Sequence, residues 1–428
     1  MWSNFLNVID SSLLPIVFKY LIVILPIAMP FMFFYLFWVL RLRWIQLKFI
    51  ESQKTCLLEI KLPKEVLKSP AAMEIFCQCL SQGPAANYGE AFLDGKTKPW
   101  FSLELVSTDG VPHFYIWCSQ AKFKNVVEAQ LYAQYPNVEI YEVDDYTKAI
   151  DFNLEKRFCW GIQWKLSKPD PYPIKTYIDY GLDGDPKDEY KIDPLTAVIE
   201  FLGALKKGDS VWIQILVQRH EEESWKHGRF IKKPDWKDDI KKEIEKIREA
   251  AIPKAKKGEE DKTFKFPNPT KGQTETIAAI ERSAGKMPFD CMIRGFYISE
   301  WSSFNPVNIG ALIGCLKQYG SDNLNGFKLS TITDVSDPYK DWVRFVFPFM
   351  KKHQERVIAL KKKDMFHAYK LRSYFQWPYK YLGGKKPFIL NTEELATLFH
   401  LPSGIVSQTP TLERVPSKKS EAPANLPI

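Results

Sequence analysis

The stretch Phe101–Ser119, FSLELVSTDGVPHFYIWCS, decides how the rest of the chain is read. Residues 101–107 and 112–119 are apolar, aromatic and β-branched, and Thr108-Asp109-Gly110 between them is turn chemistry. Together they predict a hairpin. Upstream, residues 55–61 (TCLLEIK) predict a strand closed by Pro63. Residues 64–82 predict a helix, because Ala71, Ala72, Ile75, Phe76, Cys79 and Leu80 fall on one face at helical spacing. Downstream, a helix is expected over 121–135 and a strand over 137–142. The order is βαββαβ.

The order returns. Residues 159–167 predict a strand, 194–205 a helix, 210–218 and 292–300 two strands, 308–319 a helix and 325–330 a last strand. The expected fold class is α+β: two ferredoxin-like units over 51–150 and 151–336, the second interrupted by a charged insertion at about 220–285. The run KDDIKKEIEKIREAAIPKAKKGEEDK (237–262) predicts a solvated helix with Glu–Lys neighbours one turn apart, broken at Pro253. Residues 275–284 then lead back to the sheet.

The chain has 428 residues, enough for two or three domains, and 45% hydrophobic with 26% charged residues excludes global disorder. The net charge of +8 is too thin to announce a nucleic-acid binder. Seven scattered cysteines, with no CxxC pair and no Cys/His cluster, argue for small buried hydrophobes in a reducing compartment rather than a zinc site.

A membrane anchor is expected within residues 1–50. Tyr20–Leu40 holds no charged residue, and these positions as a helix reach about 30 Å, the thickness of a bilayer's hydrocarbon. Pro26 and Pro30 are tolerated in such helices, and Trp38 suits an interface. Arg41, Arg43 and Lys48 follow at once, which predicts that everything after residue 40 faces the cytoplasm. A cleaved signal peptide is the rival. It would want a basic leading region, and residues 1–12 carry no Lys or Arg.

Between residues 340 and 372 ten Lys/Arg stand against three acids, with aromatics interleaved. Lys351, Lys352, Lys361, Lys362, Lys363, Lys370 and Arg372 are therefore candidate contacts for nucleic acid or anionic lipid. No phosphate loop, HExxH, GxSxG or GxGxxG occurs. The six histidines are dispersed. No catalytic residue, metal ligand or cofactor is expected, and the chain is read as a non-enzyme.

The segment PFILNTEELATLFHLP (387–402) carries a resemblance. It looks like the LNTEELATLFHLP element of type IV secretion and conjugation-type DNA-translocating ATPases, where it lies between a non-catalytic N-terminal part and the motor. The residues concerned are Leu390, Asn391, Thr392, Glu393, Glu394, Leu395, Ala396, Phe399, His400 and Pro402. Physically it reads as a short strand, an N-cap at Asn391 or Thr392, and a short helix with acids at its positive end, stopped by Pro402. It lies within a basic, aromatic stretch spanning 337–408, before a Pro-rich tail over 409–428. The family continues into an ATPase core, whereas this chain ends at Ile428, so the motor is expected to be a separate polypeptide or the gene split. The resemblance implies a single-pass, non-catalytic subunit of a DNA transfer apparatus in the cytoplasmic membrane, bulk in the cytoplasm, docking a hexameric motor ATPase. DNA and a second copy are further candidate partners. The alternatives are a membrane-bound module that binds nucleic acid or lipid through its basic stretch, and a hydrolase with a site built from distant residues.

Overall fold

A computed structural model describes residues 14–63, 68–82, 87–184, 192–221, 236–252, 268–333, 348–384, 386–402 and 414–415. The chain divides into two compact units, Met1–Ser52 with Ala85–Thr97, and Gln53–Pro84 with Lys98–Ile428.

The first unit is built on helix α1, Leu14–Ser52, with Pro26 and Pro30 inside it. Its part Ile24–Ser52, in which the most apolar 18 residues have mean hydropathy 1.8, is long and apolar enough to cross a membrane. Large apolar side chains point outward along it, Phe31 at 74% and Tyr35 at 70% exposure, so no face is reserved for a protein core. In the same unit lies the short helix Tyr88–Phe92 (the third helix, α3), whose preceding Asn87 donates its N–H to Glu90 Oε2 at 3.1 Å.

The second unit is a mixed α and β structure around one antiparallel sheet, to which a single parallel pair is added. Its strands are β1 (Cys56–Pro63), β2 (Trp100–Thr108), β3 (Val111–Cys118), β4 (Glu139–Glu142), β5 (Arg157–Leu166), β6 (Asp209–Arg219), β7 (Pro288–Glu300), β8 (Phe327–Ile332), β9 (Phe388–Asn391) and β10 (Arg414–Val415). They run in the order β10-β1-β3-β2-β6-β7-β5-β8; β4 also pairs with β1, and β9 with β7. The expected hairpin is β2–β3, and its turn places Asp109 at φ 55° and Gly110 at φ 84°. What the pattern did not foretell is the seam. Strand β2 pairs with β6 along its whole length, Trp100 opposite Gln218 to Thr108 opposite Ser210, so both halves share one sheet.

Side chains alternate across the sheet. One face carries Leu103, Leu105, Phe114, Ile116, Ile213, Ile215 and Ile293, which form the main core with helices α2 (Ala71–Cys79), α4 (Lys124–Gln134), α5 (Pro194–Gly203) and α8 (Val307–Gly314). Of the expected helix over 64–82, α2 covers Ala71–Cys79: residues 68–70 and 80–82 are not helical, and 64–67 lie outside the described residues. That over 308–319 divides into α8 and a 3-10 turn, Lys317–Tyr319. The insertion supplies α6 (Trp236–Ala250) and α7 (Lys271–Ala284). It is not only a solvated arm: Trp236 and Ile240 of α6 are buried against Ile280 of α7. Helix α7 also begins earlier than the apolar pattern suggested, because Thr270 and Gln273 form a capping box.

The other face is wet chemistry made dry. It carries Glu104, Trp212, Gln214, Arg294 and Phe296, all buried, under the end of α9 (Pro348–Lys370) and the turn that follows it.

Candidate functional site

Two buried polar clusters fasten the C-terminal third to the sheet. The first centres on Arg372, at 1% exposure and in a left-handed backbone conformation, φ 48°. Its Nε and Nη2 donate to the two Glu104 oxygens at 3.0 and 3.1 Å, and Nη2 also donates to Asp145 Oδ1 at 3.1 Å. Glu104 accepts further bonds from Ser102 Oγ, Gln214 Nε2 and Tyr146 Oη. Arg294 completes the set, donating to Gln214 Oε1 at 2.7 Å and to the Ala368 and Ser373 carbonyls. The cluster holds two guanidinium groups and two carboxylates, both carboxylates paired with Arg372, and is formally neutral, which is the condition for burying charge. Burial pushes Arg294 down to about 9, whereas burial of Arg372 is outweighed by Glu104 and its value is raised.

The sequence placed Arg372 and Lys362 on a basic surface, and for these two that reading is corrected. Arg372 is enclosed by its carboxylates, and Lys362, 8% exposed, has its ammonium 5.4 Å from the Phe158 ring centroid. The rings Phe366 and Tyr369 are buried too, packing on Trp212 and Phe296, and the buried Tyr374 packs edge-on against Phe375, so none of them offers a stacking platform. Lys361 and Lys363 do face solvent, and Lys370 is half-buried above Phe366. Lys351 and Lys352 lie on α9, but their side chains fall outside the described residues.

The second cluster is the 387–402 segment itself. Strand β9 pairs with β7 at Pro288–Cys291, just beyond the stretch that β5 occupies. Helix α10 (Thr392–Leu398) follows at once, and every residue from Leu390 to Pro402 is buried. Of the two candidate caps, Asn391 serves: its Oδ1 accepts from Glu394 N–H at 3.0 Å, and its own N–H donates to Glu394 Oε2 at 2.9 Å. Glu394 Oε1 accepts from Ile174 N–H, and burial pushes the carboxyl up to about 8 despite those two donors. Glu393 takes Thr176 Oγ1 at 2.6 Å and Arg282 Nε at 3.1 Å. Thr392 donates to Glu74 of α2, which also holds Lys286 at 2.6 Å and the Tyr177 hydroxyl. His400 lies between the Ala396 carbonyl, 2.9 Å from Nδ1, and Asp193, whose Oδ2 is 3.0 Å from Nε2. Asp193 also caps α5 through Leu195 N–H. Burial opposes charging either partner, yet each holds the other ionised: His400 is raised and Asp193 lowered.

The segment therefore touches α2 in the first half of the sheet, α5 and α7 in the second, and the loop at 174–177. Sequence reasoning narrowed its cap to Asn391 or Thr392 but did not find these partners, which lie as far as 318 residues away. For the Arg372 cluster the local signal was a carboxylate amid the apolar residues of β2 (Glu104) and an arginine amid those of β7 (Arg294). Beside Arg282 a cleft of about 450 Å³ opens, lined by Lys175, Asp179, Glu275 and Asn323 among others. No group of three or more His, Cys, Asp or Glu that could hold a metal occurs among the described residues. The seven cysteines are free, six of them buried.

No curated protein matches the chain. A protein-family model does match, over residues 51–413, a span that begins as the apolar helix ends and takes in both buried clusters. The chain belongs to that family, the domain of unknown function DUF8128.

Proposed function

We propose that this protein is a membrane-anchored, non-catalytic subunit of a type IV secretion or conjugation-like DNA transfer apparatus, which docks and orients a separately encoded motor ATPase. The observation that carries the reading is the complete burial of residues 390–402 between helices of both halves. The segment that resembles the motor proteins' pre-motor element is here a keystone, and its free energy is spent on fixing where the following chain leaves the sheet. Pairing of β10 with β1, at Leu62 and Pro63, then holds that chain at the sheet edge. Each half is further read as a ferredoxin-like unit, supported by the strand orders β4-β1-β3-β2 and β8-β5-β7-β6. Helix α1 is read as a single span in the cytoplasmic membrane with the second unit in the cytoplasm, supported by Arg41, Arg43 and Lys48 after the apolar run. Fold alone would not argue for transfer function; the 387–402 string does. The test is to purify the full chain alone and with its native membrane partners. ATP turnover should appear only in the complex, in a phosphate-loop ATPase. Motor-like turnover by the chain alone would refute the proposal.

A second reading, binding of nucleic acid or anionic lipid by α9, is favoured by the exposure of Lys361 and Lys363. Salt-dependent DNA binding lost in a K361Q/K363Q variant would support it.

A further inference from the structure

We propose that residues 87–96 and the helix segment Trp38–Lys48 form a collar in the lipid headgroup layer, with Leu93 seated among phospholipid chains and the cations of α1 at the phosphates. This rests on the reading of α1 as a membrane span. The uncharged run ends at Leu40, yet the helix continues to Ser52. A headgroup layer is roughly 5–8 Å deep, so at about 1.5 Å per residue it takes in Arg41 to about Ile45, and Lys48, one turn further on, reaches back towards it with its ammonium 5.3 Å from the Trp44 ring centroid.

The 87–96 segment is attached at that height. Arg41 Nη1 donates to the Phe92 carbonyl at 3.1 Å, and the Phe92 ring centroid lies 6.3 Å from that of Trp38. Gly95, at φ +67°, lies so close to α1 that a Cβ there would stand 2.6 Å from the Ile45 backbone. A segment fixed to a spanning helix just past its uncharged run has no route out of the interface. Its composition fits the place. Leu93 is 66% exposed, Trp44 63% and Trp38 40%. Tryptophan belongs in this layer, and the Arg41 and Lys48 head groups lie 5.6 and 5.3 Å from the Trp38 and Trp44 ring centroids, so stems run along rings while charge reaches phosphate. The segment's Glu90 is neutralised by Lys96 at 2.5 Å.

The experiment uses the full chain in nanodiscs of mixed phosphatidylcholine and phosphatidylglycerol. The photo-crosslinker p-benzoylphenylalanine replaces Leu93, Phe31 in the span, or Val307, which is 71% exposed in the second unit. Lipid adducts are expected at 93 and 31 and absent at 307, with phosphatidylglycerol over-represented at 93 and that excess lost in an R41Q/K48Q variant. Adducts at 31 without 93 would overturn the collar while leaving the span intact. Adducts at neither would overturn both. Adducts at 93 drawn from the two lipids in proportion to their abundance would overturn the phosphate contact.

Discussion

Arg372 and Glu104, 268 residues apart in the chain, meet with their side chains all but fully buried, Nε to Oε1 at 3.0 Å. The pair ties the turn after α9 to the middle of β2. The indole of Trp100 adds a bond to the Arg372 carbonyl at 2.9 Å, so backbone and side chain are both held. With the bond from Arg294 of β7 to the Ser373 carbonyl, this latch fixes that turn to the sheet and sets the origin of the lead into β9.

Replacing Arg372 by Met should cost about 3–5 kcal/mol, because Glu104 would remain fully buried, and Asp145 half-buried, without their cation. Denaturant unfolding of the full chain in detergent measures it. A variant that also carries E104M should recover part of that loss. If R372M alone is within about 0.5 kcal/mol of the parent, the cluster does not hold the fold as described.

Asn391→Ala removes the cap of α10 and the bond from Asn391 Nδ2 to Ser283 Oγ. Both partners are buried, so the loss should fall at the upper end of cap substitutions, about 2 kcal/mol. Asn391→Asp should cost less, since its carboxylate still accepts the Glu394 N–H. Equal losses would show that the cap is not the source.

Stability should fall as pH rises from mildly acidic to alkaline. Glu394, pushed up to about 8 in the fold, would ionise near 4.3 in the unfolded chain. The folded state therefore holds this proton more tightly, and the stability it confers is lost as pH climbs through about 8. His400, raised by Asp193, acts with the same sign from about 6.5 upward. Asp193, which is lowered, acts oppositely and only in acid, as pH drops below its ordinary value near 3.9. Unfolding midpoints at about pH 5 and about pH 9 check this. The midpoint should drop, and by less in E394Q. A flat profile would contradict it.

Lys361 and Lys363 face water while Lys362 does not. Anionic vesicle or DNA binding through α9 should accordingly weaken in K361Q/K363Q with unfolding unchanged, whereas K362Q should lower stability and spare binding. The reverse pattern, read by co-sedimentation beside a melting curve, would mean that α9 is turned the other way.

Much of the local structure was legible in the sequence. Turn chemistry at 108–110 predicted the hairpin, the apolar run 194–205 predicted α5, and an N-cap at Asn391 or Thr392 followed by acids predicted α10. Charge was misread where its partner was remote. Lys362 and Arg372 stand in a basic run, and residue type alone does not reveal that Glu104 and Asp145 lie across from Arg372. The seam of β2 with β6 escaped for a similar reason: both strands are buried on both faces, and nothing local marks their edges as paired. Residues 409–413 and 416–428 of the Pro-rich tail, and Tyr339, Trp342, Phe345 and Phe347 of the aromatic stretch, lie outside the described residues.

The most direct test of the docking account is the composition and activity of the complex that the full chain forms in its native membrane. Affinity-purified under mild detergent and weighed by native mass spectrometry, it should contain a phosphate-loop ATPase in six copies. ATP turnover should vanish when that subunit's phosphate-loop lysine is replaced. A chain recovered with no such ATPase, or one that turns over ATP by itself, would contradict the account.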